Sequence, residues 1–192
     1  MRVLVLENRD AFTPDLVKAL EALDAECLVH RAGNLDLEAV QALRPKRILL
    51  SPGSLGPKKI KVCGEVVEKL AGEIPILGIC QGVQVIASVA GARILSTKKK
   101  VEGKTSMVRH DGKGLYRALP NPFTAACSPL VVIDPTHEPH FVELSAWNED
   151  GAVLGLRIGG LGVEGVQLHP EAFLTESGTD LLFNFLYRSQ TW

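Results

Sequence analysis

The chain has 192 residues, 46% of them hydrophobic, and its 21 basic and 22 acidic residues leave a formal net charge of −1. A chain of this length suits a single domain that hides roughly 70% of its unfolded surface, so its core needs no metal or disulfide staple. The balanced charge gives no electrostatic case for nucleic acid or an anionic membrane as a partner.

The first half alternates short apolar runs with amphipathic segments. Thr13, Pro14 and Asp15 predict a helix start, with a capping hydroxyl, a proline at the first helical position and an acid in the first turn. The predicted strands cover residues 2–6, 26–30, 47–50 and 74–79, and further helices cover 36–43, 61–70 and 81–90. This alternation predicts a parallel, doubly wound α/β sheet with helices on both faces.

The second half changes character. From residue 92 to 169, short apolar runs separated by Gly, Pro, Asn and Asp predict mostly β-structure, with a hairpin-like turn at residues 149–151. A final helix is predicted at Gly178–Tyr187. No linker separates the halves, so one domain is expected over residues 1–192.

Export and membrane insertion are not indicated by the sequence. The first apolar run is only four residues long, which is too short for a signal peptide, and no window predicts a membrane span. The cysteines Cys27, Cys63, Cys80 and Cys127 are scattered without a CxxC pair, which argues against a zinc site or a disulfide framework. We therefore expect a cytoplasmic protein that needs neither metal nor cofactor.

Cys80 has the sequence setting of a nucleophile elbow. An apolar strand ends at it, Gly78 and Gly82 flank it, and a predicted helix begins at Gln81. The helix N-terminus favours a thiolate, so the pKa of the Cys80 thiol is expected to fall, and the backbone N–H of Gln81 points to where an oxyanion would form. A buried structural cysteine at a strand end remains an equally good interpretation of this segment alone.

His169 is the histidine with a setting suited to a general base. It ends an apolar strand and is followed by Pro170 and Glu171. Proline favours an extended conformation at His169, and residues two apart in an extended chain share a side. Glu171 is therefore placed to accept a hydrogen bond from the imidazole, although a strand-end histidine beside a solvated glutamate is also consistent with the pattern.

A loop rich in Gly and Pro, residues 51–57, directly follows the third predicted strand. Ligands of an open parallel sheet collect beyond the C-terminal ends of its strands, and backbone N–H groups there can bind a substrate oxyanion. An ordinary connecting loop is the alternative.

Together these segments resemble the class I (triad) glutamine amidotransferases, most closely the glutaminase subunit of anthranilate synthase. The resemblance covers nearly the whole chain. Its motifs are the opening at 6–13, an oxyanion loop at 51–57, the cysteine elbow at 78–84, the 103–115 region and the closing motif at 165–175. It implies a twisted, mostly parallel sheet flanked by helices, with a smaller antiparallel β extension.

The resemblance also implies roles for individual residues. Cys80 would attack the carboxamide of L-glutamine, His169 would relay protons and Glu171 would orient His169. The substrate-binding positions implied by the family are Gly53, Leu55, Gly56, Gln81, Gln84, Pro129 and Leu130, with the backbone N–H groups of Leu55 and Gln81 as oxyanion donors.

The chain departs from the family pattern at Leu55, Gln81, Val83, Glu102 and residues 127–129. These departures are expected around the glutamine site or the partner face. They leave open a non-catalytic binding or regulatory subunit of the same fold.

The resemblance further implies a partner, a chorismate-binding large synthase subunit that receives the ammonia. Anthranilate formation in tryptophan biosynthesis is the main expectation, and aminodeoxychorismate formation in folate biosynthesis is the alternative.

Overall fold

The computed structural model describes residues 1–8, 10–53, 61–96, 105–127, 131–134 and 139–188. Five α-helices occur in this part of the chain: α1 (Thr13–Glu21), α2 (Leu37–Ala42), α3 (Lys61–Leu70), α4 (Gln81–Val89) and α5 (Gly178–Tyr187). The first strands are β1 (Arg2–Asn8), β2 (Glu26–Arg31), β3 (Arg47–Gly53) and β4 (Ile76–Ile79). The later strands are β5 (Ile94–Ser96), β6 (Thr105–His110), β7 (Phe123–Ala126), β8 (Val131–Ile133), β9 (Val142–Trp147), β10 (Val153–Ile158) and β11 (Val163–Val166).

Nine of these strands form one sheet in the order β2-β1-β3-β4-β11-β10-β9-β6-β7. The pairings from β2 to β11 are parallel, and those from β11 to β7 are antiparallel. A separate antiparallel ribbon joins β5 to β8. The expected α/β class, with a mostly parallel sheet flanked by helices and an antiparallel β extension, is confirmed.

Helices cover both faces of the parallel strands because the buried residues of β1 alternate between two clusters. Leu4 and Leu6 face a cluster built from α3 and α4, while Val3 and Val5 face a cluster built from α1 and α5. A strand buried on both faces reads as a continuous apolar run, which is why β1 was recognisable in the sequence.

The start of α1 differs from the expectation that the Thr13 hydroxyl caps it. Phe12 occupies the N-cap position, and the Thr13 hydroxyl instead donates a 2.6 Å hydrogen bond to the carboxylate of Asp10. The same carboxylate accepts the backbone N–H groups of Phe12 at 2.8 Å and Thr13 at 2.7 Å. Asp10 therefore accepts hydrogen bonds from the N–H groups at the start of the helix, where the sequence predicted that the Thr13 hydroxyl would be the acceptor.

Most other elements fall within two residues of their predicted bounds. The strand predicted from residue 74 begins at Ile76, and α5 spans the predicted residues Gly178–Tyr187. The turn predicted at 149–151 joins β9 to β10 as an antiparallel hairpin. Among the described residues, no helix is long and apolar enough to cross a membrane.

Candidate active site

Cys80 lies between β4 and α4 and has a backbone conformation that residues other than glycine seldom adopt. Its φ is 49° and its ψ is −102°, and its N–H donates a 2.8 Å hydrogen bond to the carbonyl oxygen of Val166 in β11. Such a conformation costs about 1–3 kcal/mol and persists only where the surroundings enforce it. This sharp turn holds the thiol above the C-terminal end of the sheet, as the elbow pattern predicts.

Two flanking glycines let the elbow pack this closely. A Cβ atom on Gly78 would lie 2.5 Å from the carbonyl carbon of Gly82, and one on Gly82 would collide with the carbonyl oxygen of Leu50 in β3. Any side chain at either position would push α4 away from the sheet. The glycines therefore fix the distance between the start of α4 and the strands beneath it.

His169 is fixed through its backbone on the strand segment that continues from β11. Its N–H donates to the carbonyl oxygen of Ala126 at 2.9 Å, and its carbonyl oxygen accepts the Thr175 hydroxyl at 2.6 Å. A bridge between Cys127 and Leu168 supports the same segment. Because β11 runs parallel to β4, the residues that follow both strands emerge at the same end of the sheet.

Glu171 reaches the imidazole through a turn, which corrects the expectation of an extended chain. The N–H of Ala172 donates to the carbonyl oxygen of His169 at 3.2 Å, which places Pro170 second in a four-residue turn, where its fixed φ is favoured. The turn brings the Glu171 Oε1 atom to 2.8 Å from His169 Nδ1. The other carboxylate oxygen, Oε2, is buried without a hydrogen-bond partner in the described part of the structure.

The thiol completes a continuous line of polar contacts. The Cys80 Sγ atom lies 3.2 Å from His169 Nε2, and the imidazole and Glu171 side chains are 10% and 3% exposed. Since Glu171 contacts Nδ1, it favours the tautomer that carries a proton on Nδ1 and leaves Nε2 free to accept one. This arrangement can move a proton from a thiol to an imidazole that a carboxylate holds in orientation.

The pKa of the Cys80 thiol is raised above its ordinary value, which is opposite to the expected direction. Burial is the largest cause, and the negative charge of Glu171 and the proximity of Cys127 and Asp10 act in the same direction. The field at a helix N-terminus is typically worth only about 0.3–1 kcal/mol, which is too little to offset the burial of a thiolate. This raised pKa favours the protonated form of the Cys80 thiol.

The predicted substrate-binding residues fall into two groups. Gly53 ends β3 and packs against Gln81, while Gln84 is half-buried one turn further along α4. Leu55, Gly56, Pro129 and Leu130 lie outside the described residues. The Gln81 side chain is 7% exposed, and its Oε1 atom is buried without a hydrogen-bond partner among the described groups.

Two of the residues that depart from the family pattern, Val83 and Cys127, are buried. Val83 is 1% exposed, and a Cβ atom on Gly165 would collide with its side chain, so Val83 lies in the core against β11. Cys127 is also buried, at 3% exposure. Both side chains therefore pack inside the protein.

Three residues near the site were missed in the sequence. Phe12 packs on the imidazole of His169 with ring centroids 4.7 Å apart, Asp10 anchors the backbone of Phe12, and Thr175 holds the carbonyl oxygen of His169. An acidic residue three positions before the predicted helix start was a usable signal for Asp10. No local sequence pattern indicates the roles of Phe12 and Thr175, because Phe12 contacts a residue distant in sequence and Thr175 also joins distant segments. Within the described ranges, no group of His, Cys, Asp and Glu side chains could hold a metal ion.

The family and the fold follow from comparisons with known proteins. The family model described as Glutamine amidotransferase class-I matches residues 4–189. The chain belongs to the class-I glutamine amidotransferase family. This amidotransferase is similar in fold to a glutamine amidotransferase from Thermotoga maritima, with a TM-score of 0.74 at 18% identity over 98% of this chain and 97% of that one.

Two relatives of this amidotransferase carry different names. It is 38% identical to aminodeoxychorismate synthase component 2 of Escherichia coli over 186 residues, which cover 97% of this chain and 100% of the relative. It is 39% identical to anthranilate synthase component 2 of Pseudomonas aeruginosa over 189 residues, which cover 96% and 94%. The two identities are too similar to favour either name.

Proposed function

We propose that this amidotransferase hydrolyses L-glutamine to glutamate and ammonia, with Cys80 as nucleophile, His169 as general base and acid, and Glu171 as the group that orients His169. The observation that carries the proposal is the unbroken line from the Cys80 thiol through the imidazole to the Glu171 carboxylate, at 3.2 Å and 2.8 Å. The strained backbone of Cys80 supports it, because strain of this kind concentrates at functional sites.

The first half of the reaction forms a thioester and releases ammonia. The Cys80 sulfur attacks the carboxamide carbon of glutamine while its proton passes to Nε2 of His169, so no free thiolate is needed beforehand. The resulting tetrahedral oxyanion collapses when its C–N bond breaks. The imidazolium donates its proton to the leaving nitrogen, which departs as ammonia.

The second half restores the enzyme. A water molecule attacks the thioester carbon, and His169 Nε2 accepts a proton from it. The C–S bond of the second tetrahedral intermediate then breaks, glutamate is released, and the sulfur regains its proton from the imidazolium. In both halves the Glu171 carboxylate stabilises the transient positive charge on the ring.

The negative charge of each tetrahedral intermediate needs donors that are already in place. The N–H groups of the first turn of a helix have no partners within the helix, and Gln81 is the first residue of α4. We assign its backbone N–H as one donor and that of Leu55 as the other. Gly53, Gly56, Gln84, Pro129 and Leu130 are proposed to contact the rest of the glutamine molecule.

The ammonia is proposed to pass to a separate chorismate-binding synthase subunit that forms anthranilate. Relatives named as component 2 of anthranilate synthase and of aminodeoxychorismate synthase support a two-part enzyme. The Escherichia coli relative also supports aminodeoxychorismate as the product, so both acceptor subunits belong in the test.

The test is glutamate release by the purified chain, alone and with the host's large subunit of each synthase plus chorismate. Cys80→Ala is expected to abolish release, while Cys27→Ala, a cysteine on the edge strand β2, serves as the matched control and is expected to retain it. If one large subunit stimulates glutamate release and the mixture also forms that subunit's product, the result identifies the reaction that receives the ammonia. No release from a folded chain in any mixture would overturn the glutaminase proposal in favour of a non-catalytic subunit.

A further inference from the structure

The aromatic ring of Phe12 covers one side of the His169 imidazole. The ring centroids lie 4.7 Å apart at an interplanar angle of 47°, and Phe12 is 50% exposed whereas the imidazole side chain is 10% exposed. The two ring nitrogens of His169 are occupied by Cys80 and Glu171, so its faces are the remaining route by which it can tilt or meet water. Phe12 contacts the imidazole at a tilted angle and occupies space on one side of it.

Phe12 is held in this position by its backbone. The Asp10 carboxylate accepts the N–H groups of Phe12 and Thr13 and the Thr13 hydroxyl, and its Oδ2 atom also accepts the Ser51 hydroxyl at 3.1 Å. Ser51 lies in β3, so Asp10 joins the turn between β1 and α1 to a neighbouring strand. These hydrogen bonds fix the backbone from which the half-exposed Phe12 side chain reaches the imidazole.

We propose that Phe12 is a positioning residue that restrains the His169 ring against Cys80 and shields it from water. The proposal rests on the proposed glutaminase function for its kinetic consequence only. During the reaction the imidazole becomes positively charged, and an aromatic ring within about 6 Å of a cation stabilises it. Removal of the ring therefore weakens the proton transfer steps more than it weakens glutamine binding.

The kinetic test compares Phe12→Ala and Phe12→Leu with Phe12→Tyr, which keeps an aromatic ring and can point its hydroxyl into solvent. The kcat for glutamate release is expected to fall about 3- to 10-fold in the alanine and leucine variants while KM changes less than about twofold, and tyrosine is expected to restore it. Phe141→Ala is the matched control, because Phe141 is 53% exposed and precedes β9, away from the triad. An unchanged kcat in Phe12→Ala would overturn the proposal.

A second readout does not depend on activity. Diethyl pyrocarbonate modifies accessible imidazoles, and peptide mass spectrometry reports its rate at His169 separately from the rate at His140. The rate at His169 is expected to rise at least about threefold in Phe12→Ala and in Asp10→Ala, which removes the acceptor that anchors Phe12, and to stay unchanged in Phe141→Ala. An unchanged rate at His169 in folded Phe12→Ala protein would overturn the shielding role, whether or not the chain releases glutamate.

Discussion

The Thr175 hydroxyl donates a 2.6 Å hydrogen bond to the backbone carbonyl oxygen of His169, and its oxygen accepts the N–H of Ala126 at 3.0 Å. One buried hydroxyl thus joins the proposed base to β7 and to the turn that carries Glu171. It fixes the backbone of His169, whereas Glu171 fixes its ring.

Replacing Thr175 with valine is expected to lower both stability and activity. Valine keeps the shape but leaves the N–H of Ala126 without its acceptor and removes one of the two donors to the carbonyl oxygen of His169, which costs about 1–3 kcal/mol. Thr175→Ser keeps the hydroxyl and serves as the control. Chemical denaturation and glutaminase kinetics would measure both effects, and a valine variant as stable and active as the serine variant would contradict this role.

The reactivity of Cys80 toward iodoacetamide is expected to be low at neutral pH and to rise with pH. Because burial and the charge of Glu171 raise the pKa of its thiol, the reactive thiolate fraction in the free chain increases about tenfold per pH unit below that pKa. Alkylation would be followed on the Cys80 peptide by mass spectrometry, with Cys80→Ala as the blank. A rate that reaches a plateau below neutral pH would show that the resting form is already a thiolate.

Alanine at Gly82 is expected to destabilise the protein, whereas alanine at Gly64 is not. A Cβ atom on Gly82 meets the Leu50 carbonyl oxygen, so α4 must shift at a cost of about 1–3 kcal/mol or more. A Cβ atom on Gly64 in α3 meets only Val89 at 3.8 Å, and the substitution stabilises the helix by about 0.5–1 kcal/mol. Unfolding free energies measure the contrast, and similar values for both variants would refute the packing argument.

The buried carboxyl group of Glu164, near the end of β11 that is farther from His169, is expected to make the stability of the protein depend on pH. Glu164 lies 3.2 Å from the guanidinium of Arg157, which also contacts Asp111 at 2.8 Å and Glu143 at 3.1 Å. Burial raises the pKa of Glu164 from 4.5 to about 8, although the charge of Arg157 acts in the opposite direction. Between pH 4.5 and about pH 8, the Glu164 carboxyl group therefore keeps a proton in the folded protein that it has lost in the unfolded chain.

The free energy of unfolding is accordingly expected to fall as pH rises from 4.5 to about 8. Glu164→Gln is always neutral and keeps an oxygen acceptor for the N–H of Leu115, so it should flatten this dependence. Glu143→Gln changes a more exposed contact of the same Arg157 and is the control expected to keep the slope. Thermal unfolding between about pH 5 and about pH 9 would decide, and equal slopes for both variants would assign the dependence to another group.

The sequence predicts the parallel half of the fold and the elbow well because their signals are local. An apolar strand, two glycines and a following helix are all present within the residues around Cys80. The direction of its pKa shift was not predictable in this way, since burial depends on how closely the protein packs around the thiol, and Glu171, Cys127 and Asp10 reach it from distant parts of the chain.

The surroundings of His169 show the same limit. Its identity as the candidate base follows from Pro170 and Glu171 beside it, but the turn that brings Glu171 close replaces the extended chain that proline alone suggests. Phe12 reaches the imidazole from the other end of the chain, through a pairing of segments that no periodicity encodes. Sequence patterns located the candidate groups, and tertiary packing determined their orientation.

The position of β11 has a consequence for how the molecule is assembled. It is the last strand in the described chain, yet it lies in the middle of the sheet, parallel to β4 and antiparallel to β10. Before it is in place, the two half-sheets have open edges facing each other, and Cys80 has been synthesised 89 residues ahead of His169. Insertion of this one strand pairs both open edges and brings His169, the proposed base, to Cys80, so we expect the proposed glutaminase activity only after the strand has inserted. Recovery of that activity on refolding would report when the two halves join.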